Sequence, residues 1–269
     1  QSALLERPAP RGAAPTKAVR PAGFVVDEQG RKQSKSLGNT VEPQKIMDQY
    51  GADILRLTFA SVDYADDLRI GKSVIDGAVE TYRKLRNTLR YLLGATAGLA
   101  DAERVAIAEM PLLERWMLDR LASVDDEVTA AYRAFDFRRA LAAVAEFANV
   151  EFSALYADIR KDALYCDAPG ALRRRAARTV MAEMLDRLLL WLAPLTPFTA
   201  EEAWSYTAAG GGSVHLRALT PVPDGWRDHA ARAGRGAAFV VSGDAKGATG
   251  RPVPLLSEFL LSRSEGAAR

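Results

Sequence analysis

Apolar side chains recur every three or four positions through most of residues 73–204, which is the spacing of amphipathic helices. A capping-type sequence at 73–76 begins the first predicted helix, Pro111 precedes the second, and Asp136 caps the third. The apolar positions of these three helices are Ile75, Val79, Tyr82, Leu85, Leu89 and Leu92, then Met117, Leu121, Val124, Val128, Ala131 and Phe135, then Phe137, Leu141, Val144, Ala148 and Leu155.

A fourth predicted helix covers 171–193 and ends where two prolines follow in close succession. Thr199 and Glu202 then form a capping box for a short helix that contains Trp204. Short connections between long amphipathic helices are typical of bundles. The pattern therefore predicts a mainly α-helical chain organised as an antiparallel α-helical bundle.

The segments that flank the predicted bundle have a different composition. Pro43 suits the first turn of a short helix that Gly51 closes, and Asp53 is placed to cap a second one. Residues 1–22 are rich in Pro, Ala and Arg, and taken alone they predict a flexible leader. Residues 227–269 are rich in Gly, Ala, Arg and Ser and predict a flexible tail.

Composition excludes several classes of function. A net charge of +2 over 269 residues gives no global attraction to nucleic acid, so any RNA contact must come from local patches. Cys166 is the only cysteine, and His215 and His229 are the only histidines, which leaves few ligands for a metal site and no internal disulfide. The longest apolar run, 188–195, is too short for a membrane span. The chain begins with Gln1 and shows no signal peptide, which predicts a fragment or processed chain of a cytoplasmic protein.

Residues 30–39, GRKQSKSLGN, are the most informative segment for chemistry. Lys32 and Lys35 stand three positions apart among hydroxyl side chains, with a glycine on either side. A mobile loop of this kind presents point charges and donors to a polyanion such as a triphosphate. The same composition also suits a solvated turn without a ligand, and the residues alone leave both interpretations open.

The segment resembles the KMSKS signature of class I aminoacyl-tRNA synthetases, and the similarity continues beyond it. It includes YGADILRL at 50–57 and DYADDLRI at 63–70, which are most similar to the isoleucyl members of the family. Further words of the family's anticodon-binding domain are YADIRKD at 156–162 and WLAPLTPFTAEEAW at 191–204. The resemblance covers about residues 1–226, and we refer to residues 30–39 as the signature loop.

The resemblance implies a division of the chain. Residues 1–72 are expected to be the C-terminal end of a class I Rossmann-type catalytic domain, residues 73–226 the anticodon-binding bundle, and residues 227–269 a poorly matched tail. It also implies a loop and strand through about 15–27 that lead into the signature loop. Ala22 stands where the family usually has a histidine, so the match is imperfect there.

The resemblance to the isoleucyl members implies ATP as cofactor, with Mg²⁺ as its counter-ion, and an isoleucine-accepting tRNA as partner. By resemblance, Lys35 is expected to contact the pyrophosphate side of ATP, Lys32 to add a supporting charge, and Ser34 and Ser36 to bind ATP or shape the loop. Gln33 replaces the more common methionine. The HIGH motif of the family has no counterpart in these residues, so the chain alone is predicted not to form adenylate. No protein-bound metal is expected, and the chain is predicted to be a monomer without membrane contact.

Basic helix faces are the second candidate site. The proposed tRNA contacts are Arg83, Arg86 and Arg90, then Arg160 and Lys161, then Arg173, Arg174, Arg175 and Arg178. A charged helix face is also commonly just solvated. Trp116, Trp191 and Trp204 are candidates for stacking on anticodon bases, although core packing is favoured for Trp191. Cys166 is predicted to be a small buried side chain.

Three hypotheses remain open at this point. The chain is the C-terminal portion of an isoleucine–tRNA ligase, or a stand-alone tRNA-binding helical module without catalysis, or a truncated gene product without function. A contiguous upstream reading frame that encodes the HIGH motif favours the first. A start codon near Gln1 favours the second, and a frame break favours the third.

Overall fold

The computed structural model describes residues 19–34, 36, 38–40, 42–207 and 211–228. Within these ranges the chain is mainly helical, and its strands form a single two-stranded parallel pair. The principal elements are β1 (Val25–Val26), α1 (Pro43–Tyr50), α2 (Ala52–Ala60), β2 (Leu68–Arg69), α3 (Lys72–Thr96), α4 (Leu112–Ala134), α5 (Phe137–Glu146), a π-helical segment (Phe147–Tyr156), α6 (Ala157–Tyr165), α7 (Leu172–Leu192) and α8 (Pro197–Ser205). Short 3₁₀ turns cover Asp101–Glu103, Ile107–Glu109, Val214–Leu216 and Asp224–Trp226.

The strand pair joins the residues just before the signature loop to the family segment at 63–70. β1 runs beside β2, and Gly23 donates its backbone N–H to the Tyr64 carbonyl over 3.0 Å. A Cβ atom on Gly23 would lie 2.0 Å from the backbone oxygen of Asp66, so the two segments approach this closely only because residue 23 is glycine. The expected strand is thus present but confined to two residues, and the part of that expectation on 15–18 falls outside the described residues.

The bundle core follows the predicted apolar stripes. Leu85, Leu89 and Leu92 of α3 pack in one cluster with Met117 and Leu121 of α4, and all five are nearly inaccessible to water. Burial of such contiguous apolar faces is what holds amphipathic helices together. The predicted helices are therefore confirmed as elements of one core.

The end of α4 departs from its predicted stripe. Phe135 is 46% exposed and has a φ of 61°, because it is the left-handed residue that ends α4 and reverses the chain. Asp136 then caps α5 as predicted, by accepting from the Arg139 backbone N–H over 3.0 Å. The pattern of apolar residues placed Phe135 in the core, and its position at the helix end explains why it lies outside.

Three predicted N-terminal caps are wrong. α3 begins at Lys72 and has no side-chain cap, so Ser73 does not have the predicted role. Asp53 lies in the first turn of α2, and its carboxylate instead accepts from the backbone N–H groups of Phe198 and Thr199, at 3.3 and 2.8 Å. Asp53 therefore caps α8 from a distant part of the chain, in place of the predicted Thr199–Glu202 capping box.

The helical stretch Phe137–Tyr165 combines α5, the π-helical segment and α6, and the π-helical segment is not predicted by the sequence pattern. By length and composition this is the one helix of the described residues that would suffice to cross a bilayer. Phe147, Phe152 and Tyr156 of this stretch are fully buried in the bundle core. These three aromatic residues are thus used for packing within the protein, and the absence of membrane contact stays a prediction.

Candidate functional site

The signature loop leaves β1 through a tight hairpin. The Gly30 N–H donates to the Asp27 carbonyl over 2.9 Å, and Gly30 has a φ of 78°, which glycine adopts without strain. The chain then returns antiparallel to β1, with the Gln33 N–H donating to the Val25 carbonyl over 3.1 Å and a bridge between Val26 and Lys32. This turn at 27–30 fixes the start of the signature loop against the strand pair.

Asn39 closes the base of the signature loop. Its side-chain oxygen accepts from the Ser34 N–H over 2.9 Å, and its amide nitrogen donates to the Asp27 carboxylate over 3.0 Å. The second Asp27 oxygen accepts from the Arg31 N–H over 2.8 Å, and the Arg31 guanidinium also pairs with this carboxylate. The two ends of the loop are thus joined to one carboxylate, which restricts how far the residues between them can spread.

This hydrogen bonding lowers the pKa of the Asp27 carboxyl to about 2, because the donors stabilise its charged form. The Asn39 amide contributes most, while partial burial opposes the shift and Arg31 adds to it. A folded-state pKa below the ordinary value of 3.8 means that Asp27 stabilises the fold above pH 3.8. That contribution is lost as the pH falls through about 2.

We therefore predict that the Asp27 carboxyl titrates with a midpoint near 2 and that Asn39→Ala moves this midpoint up toward 3.8. The measurement is an NMR pH titration of the side-chain carboxyl carbon. Asn87→Ala, on the distant helix α3, serves as the control and should leave the midpoint unchanged. An unshifted Asp27 midpoint in Asn39→Ala would show that Asn39 is not the main donor.

The structure places three of the four candidate ATP-binding residues in this loop. Lys32 is exposed, with its ammonium 4.1 Å from the centroid of the Phe24 ring. The Ser34 and Ser36 hydroxyls lie 3.1 Å apart. Lys35 lies outside the described residues, so its predicted role stays a prediction. In the part of the chain that the structure describes, no group of three or more His, Cys, Asp or Glu side chains is placed to hold a metal ion.

A set of hydrogen bonds attaches the signature-loop region to the bundle through α2. The Arg56 guanidinium donates to the carbonyls of Pro194 and Leu195, at 2.7 and 3.3 Å, where α7 ends. One turn earlier, Asp53 caps α8 by accepting from the Thr199 N–H and from its hydroxyl at 2.6 Å. Because α2 follows the signature loop after one short helix, these hydrogen bonds join the region of the loop to the bundle.

The predicted cluster at the start of α7 is occupied by acceptors of the protein itself. Arg173 forms a bidentate pair with the Asp167 carboxylate, and Arg174 donates to the Asp167 carbonyl over 2.8 Å. Arg175 donates to the Glu103 carbonyl over 2.9 Å. Arg178 donates to the carbonyls of Ala95 and Ala97 at the end of α3, at 3.1 and 2.7 Å. These guanidinium groups fasten neighbouring segments together, which disfavours the interpretation of the cluster as a free phosphate-binding surface.

Arg160 is buried inside the bundle and paired with a carboxylate. Its side chain is 7% exposed and forms two hydrogen bonds with the fully buried Glu114 carboxylate, at 2.5 and 2.7 Å. The same carboxylate accepts from the Tyr156 hydroxyl over 3.2 Å. A guanidinium that is buried and paired in this way is not available to a phosphate, which argues against the predicted tRNA contact. Lys161 is exposed and forms an ion pair with Asp158.

The three arginines of the α3 stripe differ in their ion pairs. Arg83 pairs with Glu80 on its own helix, and Arg86 pairs with Glu202 of α8. Arg90 is exposed, and no ion pair to it is found among the described residues. The stripe therefore offers fewer unpaired charges than its sequence suggests.

The candidate stacking residues all lie in the core. Trp191 is fully buried and donates its indole N–H to Asp125 over 2.8 Å, which confirms the favoured core interpretation. Trp116 and Trp204 are each 4% exposed, so neither is available to a base. Cys166 is exposed at the end of α6, and its predicted burial is wrong because the helix ends there.

Comparison with known proteins places this geometry in a family. Residues 2–71 match the family described as tRNA synthetases class I (I, L, M and V), and residues 114–241 match the anticodon-binding domain of tRNA ligase. The chain belongs to the class I tRNA synthetase family. An isoleucine–tRNA ligase of Agrobacterium fabrum is 51% identical over 232 residues, and one of Caulobacter vibrioides is 49% identical over 231 residues. Each alignment covers 86% of this chain and 24% of the relative, so the chain spans about a quarter of the length of these relatives.

A solved structure shows the same fold. The LeuRS–tRNA–LeuAMS ternary complex of Agrobacterium radiobacter K84 (agnB2 LeuRS) superposes with a TM-score of 0.62 over 80% of this chain and 25% of that chain. The sequence identity is 22%, so this similarity concerns the fold alone.

Within this class I synthetase chain, sequence reasoning missed the residues that organise the site. Asp27 precedes the signature loop and Asn39 is its last residue, and neither belongs to its lysine and serine pattern. Asp53 and Arg56 lie inside a recognised family word, yet their partners are about 140 positions away in the chain. The sequence signal that could have identified Asp53 and Arg56 is the presence of these polar residues in an otherwise apolar family motif.

Proposed function

We propose that the chain is the part of an isoleucine–tRNA ligase that presents the signature loop to ATP and the helical bundle to tRNA. The observation that carries the proposal is the direct attachment of the two parts, through Asp53 and Arg56, combined with about 50% identity to isoleucine–tRNA ligases. We assign 1–72 to the end of a Rossmann-type catalytic domain, 73–226 to an antiparallel anticodon-binding bundle, and 227–269 to a tail.

In the reaction proposed for the complete enzyme, the isoleucine carboxylate attacks the α-phosphate of ATP, and the bond to the pyrophosphate leaving group breaks. Negative charge grows on the leaving oxygens, so a cation that tightens its contact as this charge develops accelerates the step. We assign this role to Lys35, with Lys32 as a second charge, and loop-shaping hydrogen bonds to Ser34 and Ser36. Mg²⁺ would arrive with the ATP phosphates. A monomeric, cytoplasmic protein remains our prediction.

The proposal for tRNA is tested with the 269-residue chain itself. We expect it to bind a tRNA with an isoleucine anticodon more tightly than the same tRNA with a replaced anticodon, because unpaired bases carry most sequence information in RNA. The expected difference is about tenfold, which corresponds to the loss of one or two good polar contacts. Fluorescence anisotropy with labelled tRNA measures both affinities. Equal affinities, or no binding of either tRNA, would contradict the assignment of the bundle.

A further inference from the structure

A polar groove runs along α3 on a side that the predicted arginine stripe does not use. One wall consists of α3, with Lys84, Asn87 and Tyr91. The opposite wall is formed by the π-helical segment and α6, with Asn149 and Lys161. The groove has a volume of about 540 Å³ and is open to solvent. We call it the α3 groove.

The π-helical segment explains the shape of the second wall. The Ser153 hydroxyl donates to the Ala148 carbonyl, five residues earlier, over 2.7 Å, as the wider π turn allows. This turn places Asn149 and Ser153 on the groove side while Phe152 between them is buried. The Phe152 ring meets Tyr91 edge to face, with centroids 5.8 Å apart, and closes the groove floor. Inserted π turns are frequent at functional sites.

The polar groups of the α3 groove have capacity for a ligand. Neither the Asn87 nor the Asn149 amide has a hydrogen-bond partner among the residues that the structure describes, and within the same ranges Lys84 has no ion pair. The lining includes no carboxylate and one lysine on each wall, of which Lys161 already pairs with Asp158, so Lys84 carries the positive charge that is available to a ligand. By contrast, the cavity between the end of α3 and α8 is lined by Asp101, Asp186 and Arg104, and Arg104 already pairs with Asp101 and Glu183, so this lining attracts a polyanion less than the α3 groove does.

We propose that the α3 groove binds a single-stranded segment of RNA, with the two asparagine amides at base edges and Lys84 at a phosphate. Amides supply both a donor and an acceptor, as unpaired bases require, and lysine acts as a point charge on the backbone. This proposal rests on the proposed function, because the RNA is the bound tRNA, and it identifies a surface that the arginine pattern does not include.

The test uses the 269-residue chain and labelled tRNA with an isoleucine anticodon, measured by anisotropy at several salt concentrations. The double variant Asn87→Ala, Asn149→Ala should bind about tenfold more weakly, since two neutral hydrogen-bonding groups are lost. Lys84→Ala should lower the slope of log affinity against log salt by about one. Lys72→Ala, an exposed lysine at the start of the same helix, is the matched control and should change neither quantity.

The possible outcomes are distinct. If the unmodified chain binds tRNA and the groove variants match it in affinity and salt slope, the α3 groove proposal is overturned while the proposed function stands. If the unmodified chain binds no tRNA, both fall. Asn149→Asp provides a second measurement, because a nearly isosteric negative charge in the groove should repel the RNA backbone without disturbing packing. Far-UV circular dichroism of each variant verifies that the bundle is intact.

Discussion

Replacing Glu114 with Ala is expected to lower the free energy of unfolding by about 3–5 kcal/mol. The Glu114 carboxylate is fully buried and accepts from both the Arg160 guanidinium and the Tyr156 hydroxyl. Its removal leaves the Arg160 charge buried without a counter-charge, and the cost of that desolvation exceeds what the pair itself contributes. The pair ties α4 to α6, so the variant should loosen the bundle as a whole.

Urea unfolding followed by far-UV circular dichroism measures this effect. Glu127→Ala is the matched control, because Glu127 lies on the same helix and pairs with Arg139 at the surface, where about half of each side chain is exposed. Surface pairs of this kind contribute about 0–1 kcal/mol. Equal midpoints for the two variants would show that the buried pair is not a central element of the fold.

The helices could be predicted from the sequence because their apolar faces are long and regular. α7 was predicted over 171–193 and extends over Leu172–Leu192, and Asp136 was identified as a cap. The apolar pattern predicts a buried Phe135, because periodicity reflects only the apolar side chain. The left-handed backbone at the end of α4 places the residue outside the core instead. Asp53 was assigned to its own helix because a local pattern contains no information about a partner in α8.

The signature loop was located from its family word, whereas the residues that hold it depend on tertiary contacts. Asn39 is part of the same ten-residue segment, but its role becomes clear only when its amide is seen between Ser34 and Asp27. The arginines show the converse. A cluster of positive charges in the sequence suggests a binding site for a polyanion. In the structure, however, Arg175 and Arg178 already donate hydrogen bonds to carbonyl groups of the protein itself. Sequence cannot distinguish a charge that binds a ligand from one that fastens a helix end.

The second large effect is expected at Lys35, whose cation we assign to the pyrophosphate leaving group. Lys35→Ala should slow adenylate formation by about a hundredfold or more, since one contact that is strong only in the transition state is lost. Isoleucine binding should change little, because the leaving group lies on the far side of the α-phosphate. Lys35→Arg retains the charge without the compact ammonium and should restore part of the rate.

The most direct measurement uses a chimera in which this chain replaces the aligned region of the Agrobacterium fabrum isoleucine–tRNA ligase, to which it is 51% identical. Isoleucine-dependent exchange of pyrophosphate into ATP is compared between the chimera, its Lys35→Ala variant and its Lys45→Ala variant. Lys45 is an exposed lysine of α1 that pairs with Glu42 and is the matched control. We predict an active chimera, a rate lowered by about a hundredfold or more in Lys35→Ala, and an unchanged rate in Lys45→Ala. An inactive chimera, or a Lys35→Ala rate equal to that of Lys45→Ala, would contradict the account.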